Sequence, residues 1–203
     1  MDLVAFSHSG PELPSMLAAI LEALDEGRLQ PGSLKPASFV SRIGEILEGT
    51  MGGTIGACES TLYCLKSISI LFSLVFAIFF TAWSTALRRD STSPYGVHSP
   101  LKEALVALGK HTPARPGDRT VVDALAPLCE SVASPTTTTR NLELEAVMEA
   151  VKNGAENTRG MRARLGRASY VTTNDGEVPP DPGAWGLAAV VEGFVRGLQT
   201  ATS

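Results

Sequence analysis

The stretch Pro116-Gly117-Asp118-Arg119-Thr120 is followed at once by an apolar run that extends from Val121 to Val132. Glycine admits backbone conformations that other residues avoid, so the stretch is typical of a turn. The apolar residues behind it recur at helical spacing, and Asp118 or Thr120 is expected to cap the helix that they form. The sequence therefore predicts a tight loop that opens a capped, amphipathic helix.

Helical periodicity also dominates the rest of the chain, and no alternating run is long enough for a strand. Further helices are predicted from Met16 to Leu24 (ending before Gly27), from Phe39 to Leu47 (ending near Gly49), from Ala77 to Trp83, from Leu101 to Leu108 (stopping at Gly109), over about residues 142–165, and from near Pro182 through Leu198. Loops rich in Pro, Ser, Thr or Gly are predicted at residues 30–36, 91–100, 134–139 and 171–180. We therefore predict an all-α antiparallel helical bundle, with residues 1–203 forming a single domain.

The composition narrows the class of function. The chain has 203 residues, of which 44% are hydrophobic and 19% charged, as is typical of a globular protein. A net charge of −4 gives no reason to expect nucleic acid as a partner. The three cysteines include no CxxC pair and the three histidines lie far apart, so neither a disulfide framework nor a metal site built from these residues is predicted. This cysteine usage favours a reducing compartment, and we expect a cytoplasmic protein.

Three more glycine-containing blocks adjoin helical patterns. They are Met51-Gly52-Gly53-Thr54-Ile55-Gly56-Ala57, Gly166-Arg167-Ala168-Ser169-Tyr170 and Asp181-Pro182-Gly183-Ala184. In this order, and with the opening stretch, they resemble the L-type nucleotide-binding domain of dihydroxyacetone (glycerone) kinases, from about Leu17 to the C-terminus. The resemblance implies eight antiparallel helices closed into a barrel that binds nucleotide at one end. The family's first helix has no counterpart here, so an incomplete barrel is expected.

The blocks also contain residue types that suit a nucleotide. A glycine turn that opens a helix offers N–H donors to phosphates, although such a turn is equally a plain connector between helices. A guanidinium suits phosphate oxygens, although Arg167 also fits a solvated helix face with Arg162 and Arg164. Asp181 and Pro182 are also a suitable start for the last helix. The resemblance implies that the nucleotide contacts are Gly52, Gly53, Thr54, Ile55, Thr112, Val121, Arg167, Asp181, Pro182 and Gly183. Ile55 stands where the family commonly has serine, so one hydroxyl contact would be lost.

The family's metal-binding aspartates have no counterpart in this sequence. Members hold two magnesium ions with three aspartates in a turn after the first helix, and these ions offset charge on the β- and γ-phosphates. Here Phe6-Ser7-His8-Ser9-Gly10 occupies the place of that turn, and the only aspartates before position 90 are Asp2 and Asp25. We therefore assign no catalytic residue and no metal ligand, although the family implies Mg²⁺ beside ATP or ADP.

A long apolar segment has two interpretations. No charged residue occurs between Ser67 and Leu87, a length that could span a bilayer. In the resembled family, however, the glycine turn leads directly into a helix patterned like that from Ala77 to Trp83. Residues 58–76 are then expected to be an insertion, and the apolar length would arise where two unrelated pieces adjoin.

Three hypotheses for function follow from these patterns. In the first, the chain is the ATP-binding domain of a dihydroxyacetone kinase, which presents ATP for phosphoryl transfer to a ketose hydroxyl and is inactive alone. Its partner would be a kinase domain or subunit that binds dihydroxyacetone. In the second, the chain is a degenerate nucleotide-binding or regulatory module. In the third, it is a helical protein tethered to a membrane by the segment between Ser67 and Leu87.

Overall fold

The computed structural model describes residues 12–30, 34–55, 68–89, 98–133, 140–165 and 178–201. Within these ranges the chain forms helices and no strand, which confirms the all-α prediction. The described helices are α1 (Glu12–Asp25), α2 (Pro36–Ile55), α3 (Ile68–Arg89), α4 (His98–His111), α5 (Val122–Ala133), α6 (Arg140–Glu156) and α7 (Pro182–Ala201). They fall into two compact units: the N-terminal unit runs to Thr112 and holds α1 to α4, and the C-terminal unit begins at Pro113 and holds α5 to α7.

In the N-terminal unit α2 packs against α1 and α3, and α3 packs against α4. A row of aromatic side chains lies along α3, and the neighbouring ring centroids are between 5.8 and 6.4 Å apart; the row consists of Phe76, Phe79, Phe80 and Trp83. The α1 helix ends at Gly27, whose φ of 71° lies in the left-handed region that favours glycine. Beyond it, the Leu29 amide donates to the Ala23 carbonyl at 2.8 Å, which closes the cap and buries Leu29.

In the C-terminal unit α5, α6 and α7 pack against one another around Leu125, Cys129, Val151 and Val195, all of which are buried. Gly154 on α6 lies against the backbone of α5. A Cβ at this position would lie 2.4 Å from the Asp123 carbonyl oxygen. The contact between α5 and α6 therefore requires a glycine at this position.

Several helices differ from their predicted bounds, and α4, predicted to stop at Gly109, continues to His111. The helix predicted to end near Gly49 continues to Ile55, because no proline interrupts it and each glycine costs a helix only about 0.5–1 kcal/mol relative to alanine. The helix predicted over residues 142–165 ends at Glu156. There the Thr158 hydroxyl donates to the Ala155 carbonyl at 2.6 Å, and Gly160 adopts a φ of 71°.

The last residues of two predicted loops belong to helices in the structure. Pro36 is the first residue of α2, and residues 98–100 form the first turn of α4. A proline is accepted in a first turn because an amide at that position has no partner within the helix. The loop predictions at residues 36 and 98–100 are therefore wrong, although both prolines lie beside helix starts as their chemistry requires.

The apolar segment forms part of α3, which is helical without a break from Ile68 to Arg89. Phe76 is buried, and its ring centroid lies 6.4 Å from that of Phe80. The C-terminal boundary of the predicted insertion therefore falls inside a helix, while residues 56–67 lie outside the described ranges. Among the helices of the described residues, none combines the length and the apolar character needed to cross a membrane.

Candidate functional site

The turn at residues 116–120 is organised by a carboxylate that the motif does not include, that of Asp123. Its Oδ1 accepts a hydrogen bond from the Gly117 amide at 2.5 Å, and its Oδ2 accepts one from the Thr120 amide at 2.8 Å. The Thr120 hydroxyl in turn accepts from the Val122 amide at 3.2 Å. This reciprocal arrangement is a capping box, and it confirms Thr120 as the cap of α5. Sequence reasoning missed Asp123, although a threonine followed three residues later by an acid is the signature of this box.

Asp118 does not act as the cap of α5. Its Oδ2 accepts a hydrogen bond from the Arg115 amide at 2.9 Å, which closes the turn on itself. Its carbonyl accepts from the Arg164 amide at 3.4 Å, and the Arg164 guanidinium lies 3.8 Å from its Oδ1. Asp118 therefore links the turn to the segment after α6 and does not cap α5.

Asp181 caps the last helix. Its Oδ2 accepts a hydrogen bond from the Ala184 amide at 2.9 Å, and its carbonyl accepts one from the Trp185 amide at 3.0 Å. Its own amide donates to the Thr158 hydroxyl at 2.7 Å, and Thr158 is fully buried. The predicted helix start near Pro182 is confirmed, and one threonine hydroxyl connects the end of α6 to the start of α7.

The groups around Asp181 shift the pKa of its carboxyl in opposite directions. Burial raises the pKa of the Asp181 carboxyl above its ordinary value, and the nearby Asp123 carboxylate acts in the same direction. The Ala184 amide and the Arg119 guanidinium favour the charged form and lower the pKa. Arg119 also donates from Nη2 to the Pro179 carbonyl at 2.9 Å. Arg119 therefore acts on the start of α7 through a backbone hydrogen bond and through its charge.

These contacts join three segments of the C-terminal unit, residues 115–123, 158–164 and 178–184, which we call the loop cluster. The Gly160 amide adds a further bond to the Val178 carbonyl at 3.0 Å. The carboxylates of Asp118, Asp123 and Asp181 all accept backbone amides. Within the described ranges, no group of three or more His, Cys, Asp or Glu side chains is placed to hold a metal ion.

Two of the segments with predicted contact residues lie together within the C-terminal unit. The segment with Val121 and the segment with residues 181–183 both belong to the loop cluster, and the Val121 side chain is buried. Thr112 follows α4 directly, its amide donating to the Leu108 carbonyl at 3.1 Å. Arg167 and the stretch from Phe6 to Gly10 lie outside the described residues.

Residues 52–55 were predicted to form a turn that opens a helix, and this prediction is wrong. They form the last turn of α2, so their amides lie within a helix and not at the start of one. The helix continues through them because each glycine destabilises it only slightly relative to alanine. Their assignment as nucleotide contacts stays a prediction.

A family model described as the DAK2 domain matches residues 73–196. The chain belongs to the DAK2 domain family. The dihydroxyacetone kinase of Pichia angusta is 32% identical over 92% of this chain, and that of Komagataella pastoris is 34% identical over 91%. The human triokinase/FMN cyclase is 31% identical over 90% of the chain. The chain spans only 28–29% of the length of these relatives.

A solved structure agrees with this family assignment. The crystal structure of the dihydroxyacetone kinase of C. freundii superposes on this DAK2 chain with a TM-score of 0.60 and 26% sequence identity. The match covers 90% of this chain and 28% of that protein. The fold of the DAK2 chain is therefore that of a portion of a dihydroxyacetone kinase.

Proposed function

We propose that this DAK2 chain is the nucleotide-binding domain of a dihydroxyacetone kinase, which presents ATP for phosphoryl transfer to a ketose hydroxyl. The observation that carries the proposal is the match of residues 73–196 to the DAK2 family, joined to a fold shared with a dihydroxyacetone kinase. The loop cluster supports it, because it holds together two of the segments that the resemblance assigns to the nucleotide. We further propose that the domain acts in the cytoplasm.

The predicted contacts divide into residues that donate to the nucleotide and residues that shape the site. Arg167 offers planar donors suited to phosphate oxygens. Asp181 already caps α7 with its carboxylate, so its contribution is to fix the backbone of Pro182 and Gly183. In the proposal the remaining contacts are made by residues 52–55, Thr112 and the backbone of Val121.

The chain alone is proposed not to catalyse transfer. Two-metal neutralisation is a large part of phosphoryl-transfer chemistry, and the described carboxylates are engaged with backbone amides. A dihydroxyacetone-binding domain or subunit is the partner that the proposal requires. In a coupled assay with ATP, Mg²⁺, dihydroxyacetone and a substrate domain from a related kinase, we expect no turnover above background. Turnover abolished by Arg167→Ala would show that the missing aspartates are not needed.

Calorimetric titration of the purified chain with ADP, with and without Mg²⁺, tests nucleotide binding. Arg167→Ala should weaken ADP binding about tenfold or more, as expected for loss of hydrogen bonds to a charged group. The matched control is Arg162→Ala, which removes an exposed arginine five positions earlier and should leave the affinity unchanged. A parent chain that takes up no ADP, or equal losses in the two variants, would refute the proposed site.

A further inference from the structure

Arg119 has a backbone conformation that is rare for its residue type. Among the described non-glycine residues it alone has a positive φ, of 61°. This conformation is strained for residues with a side chain and persists only where the surroundings hold it. Hydrogen bonds hold the backbone on both sides of Arg119, because the amides of Gly117 and Thr120 both donate to the buried Asp123 carboxylate.

The strained turn directs the Arg119 side chain to the segment before α7. Its Nη2 donates to the Pro179 carbonyl at 2.9 Å, across 60 positions of sequence. Its Nε is buried and has no hydrogen-bond partner among the described residues. An unpartnered buried donor is unfavourable by itself. The bond to the Pro179 carbonyl is therefore the contact that ties this side chain to the segment before α7.

We propose that Arg119 is a positioning residue, which holds residues 179–183, and with them the Asp181 cap of α7, against the turn at residues 116–121. The geometry suits arginine better than lysine, because a planar guanidinium can donate to the Pro179 carbonyl while its charge stays near Asp181. The consequence for ADP affinity rests on the proposed nucleotide-binding function. The contact of Arg119 with residues 179–183, which we call the clamp, is independent of that function.

The charges described near Asp181 are Arg119 and Asp123, and their effects on its pKa have opposite signs. Removing the positive charge with Arg119→Gln should therefore raise the pKa of the Asp181 carboxyl, measured by NMR titration of ¹³C-labelled aspartate in the absence of nucleotide. Hydrogen exchange of the Ala184 amide should become faster, because its acceptor is Asp181. Arg119→Lys keeps the charge, so the pKa of Asp181 should stay near that of the parent while Ala184 exchange still accelerates.

Arg162→Gln removes an exposed arginine of the loop cluster and is the matched control, expected to change neither signal. ADP affinity should fall about tenfold in Arg119→Gln. It should fall much less when the same change is made in an Asp181→Asn background, because interacting residues give non-additive effects. If Arg119→Gln does not fold, Ala184 exchange in Arg119→Lys decides the matter.

The two proposals can fail separately. A parent chain that does not bind ADP, but whose Asp181 titration and Ala184 exchange respond to Arg119→Gln, refutes the nucleotide function and leaves the clamp standing. A parent that binds ADP, with Asp181 and Ala184 unaffected by Arg119→Gln, refutes the clamp and leaves the function standing.

Discussion

Gly154→Ala tests whether α5 and α6 approach as closely as the structure shows. The added Cβ would lie 2.4 Å from the Asp123 carbonyl oxygen, 3.0 Å from Pro127 Cγ and 3.2 Å from Ala124 Cα. Two of these atoms belong to the backbone of α5 and the third to a proline ring, so none can rotate away. The helices must separate, or α5 must shift along its axis.

The expected magnitude is the difference of two terms. Alanine favours a helix interior over glycine by about 1 kcal/mol. Overpacking of a well-packed contact costs about 1–3 kcal/mol, and a contact of 2.4 Å with rigid atoms belongs at the upper end of that range. The net loss of unfolding free energy is then about 2 kcal/mol. For a chain of this size that corresponds to a melting temperature lower by about 4–8 °C.

Gly197→Ala in α7 is the matched control, because it adds the same methyl group at a helical position with nothing within 4 Å. It should raise the unfolding free energy by about 0.5–1 kcal/mol. Urea unfolding followed by fluorescence of Trp185 reports on the C-terminal unit, provided Trp83 is replaced by phenylalanine in all variants. The Trp83 indole N–H is buried without a hydrogen-bond partner among the described residues, so that replacement removes an unsatisfied donor. Equal stabilisation by both alanines would refute the close approach at Gly154.

Further predictions concern Asp123, Asp181 and residues 58–76. Asp123→Asn replaces an acceptor with a donor that faces the Gly117 or Thr120 amide, so urea unfolding should show a loss of about 2–3 kcal/mol, and an unchanged midpoint would contradict its role in the turn. Asp181→Asn keeps a capping oxygen and should be at least as stable as the parent at pH 7, whereas Asp181→Ala should lose about 1 kcal/mol. The folded state raises the pKa of the Asp181 carboxyl above 3.8. The contribution of this group to the free energy of unfolding should therefore fall as the pH rises through the raised pKa. If the free energies of unfolding of the parent and of Asp181→Asn depend on pH in the same way, the burial of this charge is refuted. The insertion hypothesis predicts that deleting residues 58–76 raises the melting temperature, whereas a lower value would place the segment with the buried Phe76 in the native core.

The helices could be predicted because each buries one apolar face, and that face is visible as a period in the sequence. The starts of α5 and α7 were also predictable, since Thr120 and Asp181 are capping residues directly before apolar runs. The C-terminal ends of the helices were harder to predict. Glycines that look like terminators are tolerated inside α2, while α6 ends early because of a threonine hydroxyl and Gly160, and neither interrupts the apolar period.

The interior of the loop cluster was only partly predictable. The motif around Gly117 and Thr120 predicted a turn, but its organiser is Asp123, which lies one residue inside α5. The capping-box spacing could have identified Asp123 without a structure. The need for glycine at position 154 could not have been read from the sequence, because it arises from a backbone on another helix. The same is true of the bond from Arg119 to the Pro179 carbonyl, which joins residues 60 positions apart.

The packing of the C-terminal unit and the geometry of its candidate site depend on one another through consecutive contacts. Gly154 lets α6 lie against the Asp123 carbonyl, and the carboxylate of the same residue holds the amides of Gly117 and Thr120. That turn fixes Arg119 in its left-handed conformation, and Arg119 reaches the segment that begins α7. A displacement of α5 at Gly154 therefore moves the residue on which the turn depends. For this reason Gly154→Ala should disturb the loop cluster even in the fraction of molecules that remain folded, whereas Gly197→Ala should leave it intact.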